Sequence, residues 1–349
     1  MGGVAGDGMT TRSTHPAVMR LVPWLMVAGL VLFHALNNWV WLSENVTLTG
    51  WDRPRHLAHS LNYARMLSPL TLRSVFDVMV NDPVRPPLFA ASATIMYRLF
   101  GWSSDIATMV NVFYMTILLA ATYAIGRRWG GAWLGIVSVA LLACFPMFFA
   151  MSRHFYLEFA LTAVVALTVW LLLATEGFER RGTSLLFGVS LGLGLLTKRT
   201  FAVFAWGPVL AVVLSSGLLP ALWDCLRSWR SLRPGAYWKR GLLALLGGLV
   251  LALAWYLPNR ETVQTLILGD WLVVAWWLLA ALAILFISLP ANPVSNALAA
   301  FFVAAALAST WYLARVEFVQ RMVLYGYGVN DPRGRILQLV RMDTYLFYL

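Results

Sequence analysis

Apolar runs of about twenty residues recur along the whole chain, and that is the length a helix needs to cross the hydrocarbon core of a bilayer. They fall at about Ala17–Leu42, Ile106–Ile125, Ala132–Met151, Glu158–Ala174, Ser184–Thr197, Phe201–Leu219, Gly241–Leu257, Trp271–Leu289 and Asn296–Leu313, with a tenth beginning near Ile336. Of 349 residues, 60% are hydrophobic and 12% charged. A soluble domain is about half apolar and about a quarter charged, and no soluble fold of this size could bury the excess. The pattern establishes an all-α polytopic membrane protein of about 9–10 spans. Its first run is too long for a signal peptide and lacks a small-residue cleavage site, so it reads as an anchor.

Between the first two spans lies a long polar segment, residues 43–104, rich in arginine. Arg12 and Arg20 precede the first span, which places the N-terminus in the cytoplasm and this segment outside. Residues 1–16 are rich in Gly, Thr and Ser and read as a disordered tail. Within the first extracytoplasmic loop, Tyr63–Leu70 and Leu72–Met79 are expected as short surface helices. Pro87–Phe100 is apolar but only about fourteen residues long, which suits an interfacial or re-entrant helix. If it does not span, Arg127-Arg128, Glu179-Arg180-Arg181 and the basic loop Trp223–Arg240 fall on the cytoplasmic side, as the positive-inside rule expects.

The net charge of +11 calls for anionic partners. Membrane lipids or phosphates fit; nucleic acid does not, because the basic residues lie in separate loops between helices. Cys144 and Cys225 offer no disulfide or zinc spacing. A short echo, Trp255-Tyr256-Leu257 with Glu261, Val263 and Gln264, repeats as Trp311-Tyr312-Leu313 with Glu317, Val319 and Gln320. Both copies fall on the outer face, where Trp and Tyr serve as interface anchors or line a site.

On this topology the outer face gathers a chemically complete set. Asp52 is available as a general base; its plainer role is a loop cap or a salt bridge to Arg55. Asp52, His56 and His59 would share one face of a helix, either as a metal trio or as hydrogen-bonded surface histidines. Arg85 precedes Pro86-Pro87, whose fixed φ angles hold it rigid for bidentate phosphate binding, or it anchors at the interface. Arg153, His154 and Glu158 open a helix, where Glu158 complements the positive helix end and pairs with His154. Lys198 and Arg199 sit between two spans and either meet a phosphate or snorkel to headgroups. Gly188, Gly192 and Gly194 permit close helix packing. No nucleotide-binding loop is present: Gly192 to Lys198 lacks the Walker spacing.

The order of these motifs resembles a known family. A first helix leads into Trp51-Asp52-Arg53-Pro54-Arg55-His56-Leu57 and Arg85-Pro86-Pro87-Leu88. Gly126-Arg127-Arg128 follows, then Ser152-Arg153-His154-Phe155-Tyr156-Leu157-Glu158 and Gly192-Leu193-Gly194-Leu195-Leu196-Thr197-Lys198. The series is similar to the GT-C superfamily of integral-membrane glycosyltransferases, in the branch of protein O-mannosyltransferases and aminoarabinose transferases, over about residues 17 to 210. The resemblance implies a GT-C-like transmembrane bundle in the cell (inner) membrane. It implies a sugar donor on polyprenyl phosphate, a lipid, glycan or protein acceptor, and inverting transfer at the extracytoplasmic face. It makes Asp52 and Glu158 the catalytic carboxylates, and Arg85, Lys198, Arg199 and Arg153 the groups that meet the donor phosphate.

Three departures accompany it. Asp52-Arg53 stands where the family carries an acidic pair. Val84 replaces a Glu that in some relatives helps hold a divalent metal, so no metal ligand is assigned here and metal dependence stays open. The chain is shorter than its relatives and stops inside an apolar run, from which an incomplete C-terminus is expected. Two other readings fit the sequence: a lipid-linked-sugar flippase or transporter, and a truncated, inactive lipid-binding paralogue.

Overall fold

A computed structural model of the chain describes residues 16–45, 52–82, 85–228, 238–264 and 269–314. Among these the structure is helical throughout, with fourteen helices and no strand. The tail before Pro16, the tenth span near Ile336 and the end of the second echo lie outside the described residues, as do Trp51, Val84 and the middle of the basic loop.

The bundle is a row of helices packed in sequence. α1 (Pro16–Glu44) lies against α6 (Asn111–Ala143), α6 against α8 (Leu157–Ala174), and α8 against α9 (Arg181–Thr197). α9 packs on α14 (Pro293–Tyr312), α14 on α13 (Gly269–Ser288), and α13 on α12 (Trp238–Gln264). α10 (Phe201–Ser215) packs on α8 and α9. The apolar runs dictate helices because in hydrocarbon each backbone N–H and C=O needs a partner within its own segment.

Small residues set the close contacts. A Cβ on Gly188 would meet the Ala300 carbonyl at 2.4 Å, and one on Gly192 would lie 2.8 Å from Leu307, so α9 and α14 touch through their backbones. α6 folds back on itself at Gly130-Gly131, where Gly131 adopts φ +73°, a conformation that glycine reaches without steric cost. A Cβ on Gly126 would fall 2.9 Å from the Gly135 Cα. In a continuous helix those residues would be about 13 Å apart, so α6 is two antiparallel arms, as the expected spans Ile106–Ile125 and Ala132–Met151 require.

Six helical stretches among the described residues are long and apolar enough to cross a membrane. The expected number was nine to ten. The hairpin of α6 is one of the six, and α9 and α10, with 17 and 15 residues, fall just below the length of the others. α10 and the start of α11 (Leu218–Ser228) form a pair bent by 62°.

The first loop folds into four short helices. α2 covers Arg53–Met66, ten residues earlier than the expected Tyr63–Leu70. Pro54 fits the first helical turn, where its missing N–H costs nothing, and the helix stops before Ser68, whose α conformation Pro69 disfavours. α3, Leu72–Asn81, agrees with expectation and is held by a capping box between Thr71 and Ser74. α4, Leu88–Phe100, has 13 residues, about 20 Å of helix against about 30 Å of hydrocarbon. It packs along α2, and Arg98 donates to the Leu67 carbonyl at the end of α2. α5, Ser104–Thr108, leads into α6.

Contacts sort the interhelical segments into two ends. At one end Asp52 meets Arg85, Glu158 meets Lys198, Arg73 meets Glu261, and Trp311 donates to the Asp82 carbonyl. At the other, Glu176 bridges Arg128 and Arg180, and Arg181 donates to the Ile287 and Leu289 carbonyls. The two echo segments share the first end. Trp255 packs edge-on against Phe76 of α3 at 5.4 Å, and Trp311 is wholly buried behind the end of α3.

Candidate active site at the loop end of the bundle

The site is built where α2 begins, α3 ends and α8 begins. Asp52 is the N-cap residue of α2, yet its side chain makes no capping bond. Instead its Oδ1 accepts from Arg85 Nη2 at 3.1 Å, across 33 residues. The plainer roles open to Asp52, a loop cap or a salt bridge to Arg55, are not the ones seen; the placement of α3 brings Arg85 there. The Asp52 side chain is 48% exposed and that of Arg85 21%, so the pair faces open space from one side.

Arg85 is fixed from behind. Its backbone N–H donates to Asp82 Oδ1 at 3.2 Å. Asp82 is itself buried, approaches His59 Nε2 with Oδ2 at 3.5 Å, and accepts Trp311 Nε1–H on its carbonyl at 3.1 Å. The Asp82 carboxylate therefore ties α2 to the Arg85 segment, and its backbone carbonyl adds α14. Arg85 Nη1 is buried with no hydrogen-bond partner among the described residues. A guanidinium with one nitrogen on a carboxylate and another unsatisfied has donor capacity for an anion.

His56 lies one turn after Asp52. It is buried, and burial followed by the nearby Arg85 charge pushes its pKa down to about 4, against the opposing pull of Asp52 and Glu158. It is therefore a neutral imidazole at pH 7, edge-on to Tyr156 at 6.4 Å. His56, His59, Tyr63, Asp82, Arg85, Pro86, Ala90 and Leu157 line one cleft. The His59 pKa is also lowered, by burial first, with Asp82 opposing.

Glu158, in the first turn of α8, accepts from Lys198 Nζ at 2.7 Å. These two groups, expected in separate roles, thus hold each other and tie the start of α8 to the end of α9. Arg153 is placed differently. Its Nε donates to Asn38 Oδ1 at 3.0 Å, its Nη2 donates to Asn37, and its guanidinium lies over Trp41 and Phe149. It locks α1 to the α7 (Pro146–Ser152) segment. Arg199, at the end of α9, is half-buried with its charge felt by Tyr312. The structure thus brings Asp52 and Arg85 together, and Glu158 and Lys198 together, around His56.

Two residues of the site, Arg53 and Asp82, are placed on the outer face by the sequence but given no role by it. Arg53 is 1% exposed, and its Nε and Nη1 have no partner among the described residues. Burial lowers its pKa while Asp105 and Tyr156 favour its charge. The signal was present in the spacing: Arg53, His56, Leu57, Ser60 and Ala64 form one buried helical face once α2 starts at Arg53. Asp82 is the other, and only its tertiary contacts mark it.

Among the described residues no three of His, Cys, Asp and Glu come together as a metal site. The trio Asp52, His56 and His59 does not assemble, because His59 turns to Asp82 and Asp52 to Arg85.

The family model described as dolichyl-phosphate-mannose-protein mannosyltransferase matches residues 84–232. The match bears out the GT-C resemblance and contains Arg85, Arg153, Glu158, Lys198 and Arg199, while Asp52 lies before it. No curated protein and no solved structure matches the chain.

Proposed function

We propose, on the premise that residues 84–232 belong to a GT-C-type membrane glycosyltransferase, that this chain moves a sugar from a polyprenyl-phosphate donor to an acceptor at the extracytoplasmic face. The observation that carries the reading is the Arg85–Asp52 pair, whose Arg85 also lines the cleft with His56, His59 and Asp82. It sets a phosphate ligand beside a carboxylate, the two groups that such a transfer needs at adjacent atoms.

In the step, an acceptor hydroxyl or amine gives its proton to Asp52 as its heteroatom bonds to the anomeric carbon. The bond from that carbon to the phosphate oxygen breaks, and its electron pair leaves on the polyprenyl phosphate. Arg85 holds that phosphate and stabilises the charge it gains. Asp52 is the carboxylate on Arg85, the proposed phosphate ligand, whereas Glu158 sits on Lys198; one carboxylate at the reacting atoms supports a single displacement with inversion. Lys198 and Arg199 add positive potential at the end of α9. Arg153 has two guanidinium nitrogens committed to α1, which favours a structural role over phosphate contact. Charge supports the choice of face: Arg127, Arg128, Arg180 and Arg181 lie at the opposite end, which the positive-inside rule favours as cytoplasmic. The acceptor is a lipid, glycan or protein of the cell envelope.

Native mass spectrometry of the protein in mild detergent tests the donor site. Polyprenyl monophosphate is expected to remain bound to the wild-type chain and to be lost from Arg85→Ala. Equal retention by both would reject Arg85 as the phosphate ligand.

A further inference from the structure

Both members of the Arg85–Asp52 pair are needed for chemistry, yet each occupies the other. A carboxylate oxygen that accepts a guanidinium N–H at 3.1 Å is a poorer proton acceptor than an unpaired one. A guanidinium turned toward a carboxylate likewise has less to offer a phosphate. Asp52 is half exposed and the Arg85 side chain is 21% exposed, so an arriving anion reaches the pair from its open side. The backbone of Arg85 is held by Asp82 and followed by Pro86-Pro87, so the segment does not need to move. Only the guanidinium needs to turn.

We propose that the pair is an interlock that the donor phosphate opens. The phosphate takes Arg85 from Asp52, and the released carboxylate then serves as base, so the donor binds before the acceptor is activated. No bond is made or broken in this exchange; one hydrogen-bond acceptor replaces another on Nη2. After transfer the half-exposed Asp52 gives its proton to water, and departure of polyprenyl phosphate then restores the pair and closes the site to further proton removal. The inference rests on the proposed phosphate role of Arg85 and adds to it the claim that Asp52 competes for the same donor.

The competition has an outcome that neither a plain phosphate site nor a plain base predicts. Asp52→Asn, although it removes the base, is expected to bind polyprenyl monophosphate more tightly than the wild type. The gain is about two- to fivefold, the range that a partly exposed ion pair supports. Affinity for uncharged polyprenol is expected to be the same in both. Arg85→Ala is expected to lose the preference for the phosphate over the alcohol.

Titration of the three purified proteins with both lipids, read by tryptophan fluorescence, separates the cases. If Asp52→Asn binds the phosphate no better than wild type while Arg85→Ala loses it, the phosphate site stands and the interlock is overturned. If Arg85→Ala keeps full affinity, the donor-site reading itself fails and takes the interlock with it. A second measurement needs no variant: carbodiimide labelling of the Asp52 carboxylate in the wild type, quantified on the peptide by mass spectrometry. Polyprenyl monophosphate is expected to raise the labelling about twofold and polyprenol to leave it unchanged. No rise at saturating phosphate overturns the proposal.

Discussion

The two ends of the bundle use charged and polar side chains in opposite ways. At the end that holds Glu176, Arg181 and Asn296, polar groups close the structure. Arg181 donates to the Ile287 and Leu289 carbonyls and to Asn296, capping α13 with a cation where the helix dipole is negative. Asn296 donates to the Phe178 carbonyl, and Asn292 and Ser295 cap each other at the start of α14. The Ser216 hydroxyl is the buried group left over there. At the end that holds Asp52, more buried polar atoms lack a partner among the described residues: Nε and Nη1 of Arg53, Nη1 of Arg85 and Nδ1 of His154. Buried polar groups are nearly always paired, and an unpaired one is costly. A cluster of them at one end, beside two ion pairs, supports the proposal that this end takes the ligand.

The contrast can be broken by substitution. Arg85→Ala is expected to lower transfer by about 10²–10³-fold, the effect of removing one electrostatic stabiliser, with little change in melting temperature. The pH response of His56 comes next. Its folded pKa of about 4 lies below the ordinary 6.5, so between those values the unfolded chain binds more protons and stability rises with pH. The contribution is fully present above about pH 6.5 and is lost as pH falls toward 4. It corresponds to about 3 kcal/mol at most. Melting curves from pH 7.5 to 4.5 are expected to slope less steeply for His56→Asn than for wild type.

Arg181→Ala sharpens the comparison from the other side. Removal of the α13 cap is expected to cost about 1–3 kcal/mol of stability, as the orphaned carbonyls lose their donor, while affinity for polyprenyl monophosphate stays at the wild-type level. A large loss of affinity in that variant would blur the division between the ends. The smallest effect is expected from Asp82→Asn. The amide oxygen still accepts the Arg85 N–H, so stability falls by only about 1 kcal/mol, but His59 loses its anionic partner. The pH dependence of donor affinity is expected to shift in that variant and to stay unchanged in Arg181→Ala.

Much of the fold was legible because a bilayer leaves a chain few options. Runs such as Asn296–Leu313 can only be helices there, and Gly188 and Gly192 announced the close approach to Ala300 and Leu307. The start of α2 is hidden in the sequence because Arg53 and His56 look like surface residues, whereas both are buried. Recognising Pro54 as a first-turn proline would have placed that start and, with it, the buried face of Arg53, His56 and Ser60. The candidate site was legible as residue types but not as partners. Asp52 and Arg85 are 33 residues apart and Glu158 and Lys198 are 40 apart. Which cation meets which acid depends on how α3 and α9 pack, and no local spacing encodes that. Asp82 shows the same limit: it has partners from α2, the Arg85 segment and α14.

The most direct test of the account is transfer from a radiolabelled polyprenyl-phosphate sugar to endogenous acceptors, in membranes that contain wild type or Asp52→Asn. The account predicts a loss of about 10²–10⁴-fold in the variant, the scale of a missing general base, while the labelled donor stays bound to it. Transfer at the wild-type rate by Asp52→Asn would contradict the central claim and move the chemistry away from the Arg85–Asp52 pair.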